Sequence, residues 1–173
     1  MNVSKLISTV FLMGAAGLFS TSGVYAQDWY DVNWQYRKAI IIDASQVAAN
    51  LTDFPLLVDV TDPDLQSKAL SNGDDILFTG DDGTTKLDHE IESYDGVTGN
   101  LISWVRVPSL ASATDTVLYM YYGNPAATDQ GNPPGVWDAS YVMVQHLNEI
   151  SGPHQNSTSL SPLNDGTPSV TLQ

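Results

Sequence analysis

The chain has 173 residues, 6 Lys and Arg against 20 Asp and Glu, a formal net charge of −14, and no Cys. Phosphate backbones and anionic lipid surfaces are held by Lys and Arg, so this balance argues against a nucleic-acid partner and against electrostatic attachment to anionic membranes. Calcium and neutral polymers remain compatible ligands, and the acidity also suits plain solubility outside the cell.

In chain order, the first stretch reads as an export signal. Lys5 supplies a short positive region, residues 6–19 an apolar core, and Val24-Tyr25-Ala26 a small-residue cleavage site, so cleavage is expected after Ala26 and the signal spans 1–26. The apolar run is shorter than the roughly 20 residues of a membrane span, so no membrane insertion is expected after cleavage. The 147 residues that remain suffice for one domain, or for one and part of another. An exported chain without cysteine points to a bacterial or archaeal protein, secreted, periplasmic or held at the cell surface.

Residues 34–42 alternate, with Trp34, Tyr36, Lys38, Ile40 and Ile42 on one face, and predict the first strand. Arg37 and Lys38 are expected in exposed ion pairs. A connection over 43–53, with a helical turn through 46–50, leads to a second strand at 56–60, entered through Pro55. Asp62-Pro63-Asp64 before spaced apolar residues predicts a short helix over 62–70, capped by Asp62, with Pro63 at its first position. Residues 76–79 and 86–94 predict a hairpin around Gly80-Asp81-Asp82-Gly83. Its second strand sets Leu87, His89, Ile91 and Ser93 against a water-facing Asp88, Glu90, Glu92 and Tyr94. Residues 101–107 and 117–122 predict a central hairpin. The second of these strands is apolar or aromatic on both faces, so it is expected to be covered on both. Pro and Gly cluster in 125–135, which reads as a linker. Residues 136–147 give one more strand pattern, and 148–173 are mostly Ser, Thr, Asn, Gly and Pro. The fold class is therefore all-β, an antiparallel, jelly-roll-like β-sandwich over 27–124 with at most one short helix.

The chemistry is sparse. Asp74, Asp75, Asp81 and Asp82 flank a very short strand and could supply calcium oxygens, although the full Asp-x-Asp-x-Asp-Gly pattern with a later Glu is missing and turn formation explains them as well. Glu90 and Glu92 would share a strand face about 7 Å apart, near a paired-carboxylate distance, but an exposed charged face explains them better. His89, His146 and His154 have no zinc-site spacing. Most aromatics belong to the core. Trp104, sharing a face with Arg106, is the best candidate for an exposed ligand-stacking ring.

Six runs together carry a family resemblance: Trp34-x-x-Arg37; Phe54-Pro55-Leu56-Leu57-Val58; Gly73-Asp74-Asp75-Ile76-Leu77-Phe78; Leu87-x-x-Glu90-Ile91-Glu92; Trp104-Val105-Arg106-Val107-Pro108; and 115–124, DTVLYMYYGN. The chain resembles the DUF2341 family over roughly 34–124. The resemblance implies a β-rich extracellular domain without assigned catalytic residues, found in large exported proteins. A proton-channel name sometimes attached to the family is not carried over, because no transmembrane helices accompany it here. Val136-Trp137-Asp138, with 144–149 and the Asn156-Ser157-Thr158 and Asn164-Asp165-Gly166-Thr167 stretches, is similar to the start of a concanavalin A-like, laminin-G-type jelly roll, cut short over 136–173. The expected function is a non-catalytic binding or adhesion module, for a glycan or surface polymer, joined to further domains. A structural spacer and a part of a polysaccharide hydrolase are the alternatives.

Overall fold

The computed structural model describes residues 28–167, so the expected signal lies outside the described residues. Seven strands form two antiparallel sheets: β1 (Tyr36–Ile42), β2 (Leu51–Thr61), β3 (Leu77–Thr79), β4 (Lys86–Leu87), β5 (His89–Asp95), β6 (Asn100–Leu110) and β7 (Thr116–Tyr122). The first sheet runs β1-β7-β3-β4 and the second β2-β6-β5. The all-β expectation holds. Besides α1 (Pro63–Lys68) there is a second helical turn, α2 (Pro133–Val136), and the 3-10 turn lies at Ala44–Gln46. Among the described residues no helix is long and apolar enough to cross a membrane.

Alternation builds the core. Ile40 and Ile42, Leu56 and Val58, Phe78, Leu101, Val105 and Val107, and Leu118, Met120 and Tyr122 meet between the sheets. The other face of β7 also packs: Tyr121 joins Trp34 and Leu77, with Tyr30 and Tyr119 against them. The lead-in before β1 covers that face, where Trp29 meets Tyr121 edge-on at 5.2 Å between ring centroids. β7 is thus covered on both sides, as its sequence predicts.

Two expected hairpins are redrawn. β6 and β7 are consecutive, yet they do not pair. β6 lies between β2 and β5, and β7 between β1 and β3, so residues 111–115 arch from one sheet to the other. The stretch 86–94 is not one strand either. Lys86 and Leu87 pair with β3, and His89 onward pairs with β6, so the chain changes sheet at Asp88. A bulge between Ile91 and Ser93 then sends Ile91 and Tyr94 to the same side, and Glu92 is the extra residue. Tyr94 therefore joins the core instead of facing water, and its hydroxyl donates to Leu65 O at 2.9 Å.

α1 forms as its cap predicts: Asp62 Oδ1 accepts from Asp64 N at 2.8 Å. Lys38 is not in an exposed pair. It points inward with Ile40 and Ile42, is 7% exposed, bonds the nearly buried Asp62, and lies 2.9 Å from Asp64.

Candidate functional site

The outer face of the second sheet gathers polar and aromatic groups from distant parts of the chain. Along β6, Leu101, Ser103, Val105 and Val107 are buried, which turns Ile102, Trp104 and Arg106 outward. Across the ladder, Leu57 of β2 and Glu90 of β5 flank Trp104.

Glu90 and Glu92 do not form an exposed charged face. Glu90 is 8% exposed, and an uncompensated charge there would be costly. Donors surround it: Trp137 Nε1 donates to Oε2 at 2.9 Å, and Ser157 Oγ donates to Oε1. Glu92 Oε2 accepts from Trp104 Nε1 at 2.8 Å. His146 sits between the two carboxylates, with Nδ1 3.1 Å from Glu92 and Nε2 3.2 Å from Glu90, the latter outside hydrogen-bond alignment. Rings pack around it: Trp104 and Trp137 lie tilted with centroids 5.3 Å apart, and Tyr141 meets Trp137 edge-on at 5.1 Å. Asn148 Nδ2 donates to the Glu92 carbonyl at 3.1 Å.

Arg106 is held at the rim. Its Nε and Nη2 lie 3.1 and 3.0 Å from Asp53 Oδ1, and Nη1 donates to Gly135 O at 3.1 Å. Asp53 has φ 51°, a left-handed conformation unusual for a residue with a Cβ and one that neighbouring contacts must hold in place. The 125–135 segment, expected as a linker, lies against this sheet. Asn132 N donates to His89 O at 2.8 Å, and its side chain to Asp88 at 2.8 Å. A Cβ at Gly135 would fall 2.3 Å from Asn132 Nδ2 and 2.6 Å from the Asp88 carboxyl carbon, so both side chains would have to move to admit one. The strand expected over 136–147 is absent: after α2 the backbone is irregular through Leu147.

The profile of the family described as "Domain of unknown function (DUF2341)" matches residues 72–159, just over half of the chain. The chain belongs to the DUF2341 family. The matched span runs past Asn124 and takes in Glu90, Glu92, Trp104, Arg106, Trp137, His146 and Ser157, but not Asp53 or Leu57. No curated protein and no solved structure matches the chain.

In this DUF2341 chain the structure brings Trp104 and Arg106 to one face, as expected, but Trp104 is half-buried against Trp137. The four candidate calcium residues separate into two turns, one before β3 and one after it. Asp75 is fully buried and filled: Oδ1 accepts from Leu70 N at 2.8 Å, and Oδ2 from Gly123 N and Asn124 N at 2.6 and 3.1 Å. Asp74 accepts from Asn72 Nδ2. Asp82 caps its own turn through Thr84 N and Thr85 N, both at 2.8 Å, and the Thr85 hydroxyl and these amides hold its carboxyl below the usual range. Asp74, Asp75 and Asp82 thus each accept from protein donors within their own turns. Among the described residues no group of three or more His, Asp or Glu has metal-holding geometry.

Glu90, Glu92, Trp137, His146 and Ser157 were not legible as one group. Glu90-Ile91-Glu92 is a visible acidic pair, but its partners lie 47 and 67 residues further on for Glu90. No local spacing signals that meeting.

Proposed function

We propose that the domain is a non-catalytic extracellular binding module for carbohydrate, with the Trp104 face as its contact surface. The observation that carries this reading is the Trp104 indole, fixed by Glu92 and backed by the buried Trp137 that Glu90 holds. A ring already immobilised loses little freedom when a flat apolar sugar face lies on it, so its contact area converts efficiently into affinity. Leu57, exposed at the edge, extends the surface, and Arg106 adds a charged donor at its rim. The same bonds favour binding over hydrolysis. Both carboxylates act as acceptors for indole, hydroxyl and imidazole groups, which leaves neither in an open cleft as acid or base.

The test is a glycan array with the exported part of the chain. Specific binding that is lost in Trp104→Ala, with the fold retained by circular dichroism, is the expected result. A blank array from a cooperatively folded protein would overturn it. A structural spacer is the second reading, favoured by the bonds from Arg106 to Gly135 and from Glu90 to Trp137 and Ser157, which fix the following segment to the sheet.

A further inference from the structure

We infer that residues 138–157 form a detachable strap across the Trp104 face, clasped by Glu90 and Glu92, and that its release opens the face. The idea that the opened face takes a glycan rests on the function proposed above; the strap itself does not.

Two other places invite a ligand but are already used. The recess of about 270 Å³ beside Tyr36 has its aromatic stacked on Tyr122 and covered by the Lys68 ammonium, which Asp64 holds. The recess of about 410 Å³ at Asp81, Asp82 and Asp115 is an acidic turn in which Asp82 caps Thr84 and Thr85.

The strap differs from the sheets in what holds it. Between the sheets the contacts are mainly apolar. In 138–167 the buried side chains are Asn156 and Thr158, while Val142, Met143, Leu147, Ile150 and Leu163 are exposed. Its grip on the sheet is mainly polar: His146 between Glu90 and Glu92, Asn148 on the Glu92 carbonyl, and Ser157 on Glu90, with two ring contacts added, His146 on Trp104 at 6.5 Å and Tyr141 edge-on to Trp137. Its root is firm, since Val136 is fully buried and Trp137 is 6% exposed. Leu147, between two gripping residues, has φ 57°, a left-handed conformation that a leucine adopts only under constraint. Release relieves it.

The strap is also bonded to itself, so it moves as a unit. Val144 N donates to Asn156 Oδ1 and Ser157 N to Val144 O, both at 2.9 Å. Glu149 accepts from Gln155 N, with His154 beside it, and those partners pull its carboxyl down to about 2. Elements with few buried apolar contacts open locally, well below the free energy of global unfolding.

The experiment is peptide-resolved hydrogen exchange on the full chain. Strap amides, including Val144 and Ser157, are expected to be protected on the order of 100-fold less than those of β6 and β7. In His146→Gln, and separately in Ser157→Ala, strap protection should fall further while β6 and β7 stay unchanged. Equal protection of strap and sheets, or a strap indifferent to both substitutions, overturns the inference. On any glycan that the array finds, His146→Gln should bind roughly tenfold more tightly by calorimetry. Unchanged affinity overturns the gating. If no glycan binds either form, the proposed function and its gating fail together, and the exchange data decide the strap on their own.

Discussion

Asp75 shows how one buried residue can join three segments of the chain. It satisfies the amides of Leu70, Gly123 and Asn124 at once, and Trp34 Nε1 donates to its carbonyl at 2.7 Å. Asp75→Ala orphans those amides and is expected to cost about 3 kcal/mol in urea unfolding, since each buried unsatisfied group costs roughly 1–3 kcal/mol. A loss under about 1 kcal/mol would mean that other acceptors replace it. Lys38 makes a parallel case. Lys38→Met leaves the buried Asp62 without its ammonium and is expected to cost about 3–5 kcal/mol, whereas Lys38→Met with Asp62→Asn should cost clearly less. His89 is the third. It is fully buried against Phe78, and its Nε2 has no hydrogen-bond partner. Burial lowers its pKa below 6.5, with the Leu87 carbonyl opposing. The unfolded chain then binds a proton more readily than the folded one, so this residue's contribution is complete above pH 6.5 and falls away as pH drops from there through the lowered folded value. His89→Leu should flatten the stability profile below pH 6.5 relative to the wild type. Identical slopes in the two proteins would show that His89 does not titrate on unfolding.

At the level of the element, the bulge in β5 separates fold from site. Ile91 and Tyr94 serve the core, and Glu92, the extra residue, serves Trp104 and His146. Deleting Glu92 should leave a cooperatively folded sandwich, because Ser93 then follows Ile91 in regular alternation. Deleting Ile91 should abolish cooperative unfolding by putting Glu92 at a core position. The strands themselves were legible because β-branched runs and alternation are local properties, as in Ile40-Ile41-Ile42 and Leu101 through Val107. Partner choice was not. The five residues 111–115 carry no sign distinguishing a hairpin from an arch, and nothing in Leu87-Asp88-His89 announces a change of sheet. The site was less legible still. Trp104 and Arg106 show themselves by sharing a strand face, but the clasp on His146 depends on residues that meet only after the whole chain has folded.

Over the whole molecule, the first and last strands of the sandwich are neighbours. Among the described residues β1 pairs with β7 alone, from Tyr36 opposite Tyr122 to Ile42 opposite Thr116, while β2 finds β6 and β6 finds β5. The second sheet can therefore assemble from a continuous stretch, 51–110, before β7 exists. β1 has no such option. Until residue 122 is available, Ile40, Ile41 and Ile42 form an unpaired apolar strand near the leading end of the chain. Pairings distant in sequence form slowly, and exposed strand edges attract other chains. The arch at 111–115 thus makes an order of events available during synthesis: the second sheet can close first while the first sheet waits for β7, and in that interval the leading strand offers its edge to counterparts on neighbouring molecules.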